Sequence, residues 1–178
     1  MATNFVWRVL IATAADAAQP TAPNLGSEIA DITGWTAIGS RDRGDSGDLD
    51  SDSVTMTPFD EVGEVMAPVS ICREDVVPFK NGIDEIGFTC YDASETVIAL
   101  ASDISVTSHV ATKTLTTVKR SVVIEVNGLY YDYFPNVELS LVDFPGGLVD
   151  VSKLVFKGRV CKGTSITSGW NRKQYQAA

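Results

Sequence analysis

The chain has 178 residues, 44% of them hydrophobic, enough to bury one good core and too few for two ordinary domains. A formal charge of −9 argues against a surface that wraps nucleic acid, which needs clustered Lys and Arg to displace counterions. No run approaches the roughly 20 apolar residues of a membrane span, and the start lacks the basic flank and cleavage pattern of an export signal, so a soluble, non-exported protein is expected.

Residues 1–30 are rich in Ala, Thr and Pro, with Pro20 and Pro23 breaking any regular element. They are expected to form an arm with one short strand near Trp7 to Ile11, packed on a neighbour or loose. The main domain is expected over 31–162. It opens on a strand from Gly34 to Gly39 that runs into a segment where five aspartates fall within eleven residues, and it returns as Ser53 to Pro58. This pattern predicts a long hairpin loop over 40–57, whose self-repelling tip buries almost nothing of its own domain. Loops of that length are usually functional, and Arg41, Asp42, Arg43, Asp45, Asp48, Asp50 and Asp52 are its candidate contacts to another subunit.

Beyond the loop, an extended region passes Val65, Val69, Ile71 and Val76, interrupted by Pro68 and Pro78, and Ile86 to Tyr91 alternates with the period of a strand. Asp92 as N-cap, with Glu95 three residues on, predicts a helix of about three turns whose Val97, Leu100, Ala101 and Ile104 share one face. Ser105 to Thr117 reads as strand or loop. Val122 to Val126, then Asn127-Gly128, then Leu129 to Phe134 predicts a hairpin with a two-residue type I′ turn. Val137, Leu139 and Leu141 alternate with Glu138 and Ser140. In the last strand Leu154, Phe156 and Val160 point one way and Lys153, Lys157 and Arg159 the other. The tail over 163–178 is polar and expected to be peripheral.

Several chemistries fail on their residue requirements. Asp48, Asp50 and Asp52 alternate like the first ligands of an EF-hand, but Ser53 stands where the sharp turn needs Gly and Phe59 where a bidentate Glu is required. Gly44-Asp45-Ser46-Gly47 echoes a protease serine, yet the single histidine, His109, follows it in a Ser/Thr-rich stretch and reads as a surface or boundary residue. The pairs Asp60/Glu61 and Glu74/Asp75 are strand neighbours that point to opposite faces and cannot flank one bond. Tyr130, Tyr131, Tyr133 and Phe134 read as core and interface rather than as a ligand platform. Cys72, Cys90 and Cys161 lie beside apolar strand residues at no ligand spacing and read as reduced core filler. No enzyme and no cofactor is expected.

Charge is divided along the chain. From Met1 to Thr112 five Lys/Arg stand against eighteen Asp/Glu, a balance of −13, whereas Lys113 to Ala178 carries nine against five, or +4. The two parts attract each other within or between molecules; a solvated acidic face is the simpler alternative.

Taken together, the Gly34 to Gly39 strand opening a long acidic loop, the Thr57-Pro58 return, the Glu85 to Thr89 strand leading to a single helix with Glu95, and the hairpin after Val122 resemble the major tail tube proteins of long-tailed bacteriophages. The resemblance covers about residues 33 to 160 and lies in element order. It implies a mainly β fold, a β-sandwich or small barrel with one packed α-helix, a long hairpin loop and extended terminal arms. It further implies homohexameric rings whose sheets close around a lumen and stack head to tail, with the loop and arms bridging rings. The implied partners are the chain itself and other tail proteins (tape measure, tail terminator, distal tail), with DNA passing without specific binding and no membrane contact. The implied location is the virion tail, assembled in the host cytoplasm. An acidic lumen would keep DNA from sticking, and Asp60, Glu61 and Glu64 are the candidate lumen residues. The alternatives are a tail terminator or head-tail connector ring and, from another class, a carbohydrate-binding β-sandwich module using Trp35 or Trp170.

Overall fold

The computed structural model describes residues 6–18, 34–39, 49–58, 83–91, 95–100, 104–113, 118–126, 130–143, 154–161 and 172–176. Within them the chain is mainly β: β1 (Val6–Ala12), β2 (Trp35–Gly39), β3 (Leu49–Pro58), β4 (Ile83–Cys90), one helical turn α1 (Glu95–Ile98), β5 (Ile104–Thr107), β6 (Val110–Lys113), β7 (Lys119–Val126), β8 (Tyr130–Asp143), β9 (Leu154–Val160) and β10 (Lys173–Gln176). Seven strands form one antiparallel path in the order β2-β1-β7-β8-β9-β4-β3, β10 adds to β8 beside that path, and β5 and β6 make a separate hairpin.

Period-2 alternation decides which side chains meet. Val122 and Ile124 of β7, Leu139 and Leu141 of β8, Leu154, Phe156 and Val160 of β9, and Ile86 and Phe88 of β4 fall in one buried cluster with Val9, Ile11, Ile38 and Leu49. Phe88 and Phe156 are direct cross-strand partners, and their rings stack at 5.0 Å and 14°. Strands β1 and β3, far apart along the path, approach within 8 Å, Cα to Cα. The sheet therefore curls over its core. Gly158 sits where this curl is tight: a Cβ there would lie 2.5 Å from Val137 Cγ1 and 3.1 Å from Ile86 Cγ1, a close approach that favours glycine in a strand interior.

Two bulges switch the inward parity. In β8 the inward residues change from Phe134 to Val137, Leu139 and Leu141, and the pairing with β7 shifts register between Arg120 and Val122. The extra residue on β8 falls at Pro135-Asn136, where a proline without an N–H costs no ladder bond. In β3, Leu49 is a core residue and Val54 and Met56 pack against that core, with the register to β4 shifting between Asp50 and Thr55. Ser53 fills the gap: its Oγ accepts from Thr89 N at 2.8 Å and donates to Asp50 O at 2.6 Å.

The fold corrects several expectations. The short strand expected near Trp7 to Ile11 is present as β1, but within the segment expected as an arm over 1–30 it lies between β2 and β7 with Val9, Leu10 and Ile11 fully buried; an apolar run with neighbours on both edges is core. The long hairpin over 40–57 does not form as such, because Leu49 to Thr57 belong to β3, which pairs with β4, while β2 pairs with β1. The expected three-turn helix is a single turn, Glu95–Ile98, and Ile104 opens β5 instead; Val97 and Leu100 are buried as expected. Pairing of Val126 with Tyr130 leaves three residues between the last partners of β7 and β8, so the two-residue turn gives way to a longer connection. Finally, the tail expected to be peripheral over 163–178 supplies β10, which pairs with β8.

Candidate functional site

The outer side of the sheet differs between its two halves. Over β2, β1, β7 and the start of β8 it is apolar: Leu10, Val123, Tyr131 and Tyr133 form a second buried cluster against which Trp35 and Ala37 pack. Trp35, half-buried, meets Tyr133 edge to face at 6.5 Å. Within the same half, Arg8 and Glu125 are cross-strand partners. Arg8 Nε donates to Glu125 Oε2, and both side chains are 0% exposed. Glu125 Oε1 has no hydrogen-bond partner among the described residues. Arg172, just before β10, pairs with the buried Asp132 at 3.5 Å.

Over β8, β9, β4 and β3 the outer side is wet and charged. Thr57, Glu85, Arg159, Glu138 and Lys119 are successive register partners across five strands, so negative and positive side chains alternate along one row. Lys157 adds a diagonal contact to Glu85 at 3.3 Å, with both side chains about half exposed. Exposed pairs of this kind contribute at most about 1 kcal/mol each. Their effect is on the field: the row neutralises itself and presents no net positive stripe.

Of the expected contact residues, Asp50 and Asp52 lie in β3 rather than in a loop tip. Asp50 is half-buried and accepts a long 3.4 Å bond from Tyr91 OH, and Asp52 is exposed. Arg41, Asp42, Arg43, Asp45, Asp48, Asp60, Glu61 and Glu64 lie outside the described residues, as do Cys72 and Trp170. Cys90 is buried core, as expected, but Cys161 is half-exposed at the end of β9. His109 is exposed, as expected, in the turn between β5 and β6, where Ser108 and His109 both have positive φ, 50° and 65°. Its Nδ1 meets Glu95 Oε1 on α1, a contact 14 residues away in sequence that no local pattern signals. Among the described residues no three metal-ligating side chains cluster, and no helix is long and apolar enough to cross a membrane.

Neither a scan of protein-family models nor a search of curated proteins finds a match to this chain.

Proposed function

We propose that this protein is a structural subunit of a bacteriophage tail tube, assembling as stacked hexameric rings around a channel through which DNA leaves. The observation that carries this reading is the open path of the main sheet. Strands β2 and β3 stand at its two ends, each with one hydrogen-bonded neighbour among the described strands. End strands offer rows of unpaired backbone groups that template pairing with another chain. Two different edges joined copy to copy make a heterologous contact, which closes into a ring or extends.

Charge supports the same reading. The −13 and +4 parts of the chain suit head-to-tail stacking, and an outer face on which carboxylates stand between the Lys and Arg side chains offers a passing duplex no unbroken set of phosphate contacts. In this reading the segment containing Arg41, Asp42, Arg43, Asp45 and Asp48 bridges rings, and Asp60, Glu61 and Glu64 face the channel; those roles rest on the resemblance alone. The tape measure, terminator and distal tail proteins would be the heterologous partners.

Negative-stain microscopy of the purified chain tests the proposal. Long hollow tubes are expected. Isolated rings that never stack would move the reading to a terminator or connector, and monomers at high protein concentration would refute it.

A further inference from the structure

After β1 the chain does not leave the sheet at once. Residues 13–17 run along the bulged part of β7 and β8, held by Ser121 N donating to Ala14 O at 2.9 Å and Asp16 N donating to Pro135 O at 2.7 Å. Ala17 N donates to Ser121 Oγ at 2.9 Å, Ser121 Oγ donates to Pro135 O at 2.8 Å, and Tyr133 OH donates to Ala17 O at 2.7 Å. Asp16 takes a positive φ of 52° within this strap, a conformation that persists in a non-glycine residue when the surroundings over-determine it.

Arg120 ties the strap to a second element. Its Nη1 donates to Thr13 O, while Nε reaches Leu100 O and Nη2 reaches Ala99 O, each at 3.2 Å. The last two acceptors are carbonyls at the C-terminal end of α1, the end of a helical turn that lacks intrahelical donors and attracts a cation. One planar, forked group thus satisfies carbonyls from two segments about 85 residues apart in sequence.

We infer that Arg120 couples the strap of residues 13–17 to the α1 turn, so that loosening either segment loosens the other. The consequence reaches past the strap, because α1 is followed by the β5–β6 hairpin. A contact that steadies the strap biases the α1 side through a single side chain, and the reverse holds equally. The coupling belongs to the folded chain itself and stands apart from the tail-tube reading.

Hydrogen exchange with mass spectrometry on the full chain tests it. Arg120→Lys keeps the charge but loses the fork. It is expected to speed exchange in both the strap and α1, on the order of tenfold, while β4 and β9 keep their protection. Ser121→Ala, which removes the side-chain bonds to Ala17 of the strap and Pro135 of β8 and none to α1, is expected to speed exchange in α1 as well when Arg120 is present, and to add nothing there in the Arg120→Lys background. Faster exchange confined to one segment in Arg120→Lys overturns the coupling. So does an α1 turn indifferent to Ser121→Ala, or one that responds equally in both backgrounds.

Discussion

Replacing one member of the Arg8–Glu125 pair should be among the most damaging single changes in this protein. Both side chains are 0% exposed, so Arg8→Met leaves the Glu125 carboxylate buried without the guanidinium that meets it, and Glu125→Leu removes the carboxylate that Arg8 Nε meets. Breaking such a pair typically costs about 3–5 kcal/mol, a large share of the roughly 5–15 kcal/mol that keeps a domain folded. With a urea m-value of about 2 kcal/mol/M, a loss of 4 kcal/mol moves the midpoint down by about 2 M. The double variant Arg8→Met/Glu125→Leu removes both charges and keeps comparable volume. It should recover most of the loss and can exceed the wild type, because desolvating two ions costs more than an apolar contact. The measurement is a thermodynamic cycle of urea denaturation curves on the wild type, both single variants and the double variant. Single variants within about 1 kcal/mol of the wild type would refute the reasoning, since such a loss is that of a solvated pair.

Gly158→Ala should destabilise by about 1–3 kcal/mol through overpacking, since the added Cβ would meet Val137 and Ile86 inside ordinary contact distance; thermal melts check it, and an unchanged melting temperature would mean the curl relaxes freely. Phe156→Ala should cost about 3–5 kcal/mol, because the side chain is fully buried and stacked on Phe88; chemical denaturation measures it, and a loss below about 1 kcal/mol contradicts its place in the core. Reversing Glu85 and Glu138 to Lys turns the alternating row wholly positive, and should create duplex-DNA binding that weakens steeply between low and moderate salt where the wild type shows none. A fluorescence titration at several salt concentrations decides it, with tight wild-type binding as the contrary result.

The outer charged face was only partly legible in advance. Alternation identified Lys157 and Arg159 as outward-pointing, and the structure places both exposed. That Glu85, Arg159, Glu138 and Lys119 stand in one row depends on strand register across β4, β9, β8 and β7, which no local pattern carries. The Arg8–Glu125 pair is not legible in the sequence for the same reason: its members are 117 residues apart, and each taken alone reads as a polar interruption of an apolar strand. His109 was placed at the surface correctly, but the turn that holds it, with positive φ at Ser108 and His109, uses residues that do not announce such a turn as Asn-Gly would.

What the sequence determined by itself was the inward or outward sense of residues in a regularly alternating strand such as β9, because that follows from the pleat, whereas the parity switches in β3 and β8 depend on register with their neighbours. Leu154, Phe156 and Val160 facing in, with Lys157 and Arg159 facing out, could be read from alternation alone. The tertiary structure decided which strand lies beside which. It set β1 between β2 and β7, and it gave β3 to β4 rather than to β2. It also shortened the helix to one turn, because Ile104 opens β5 and gains a cross-strand partner, Lys113, in β6 where a local capping pattern offered only another helical turn. Strand pairing trades loop-closure entropy against burial over long stretches of chain, and that balance is a property of the whole molecule rather than of any segment within it.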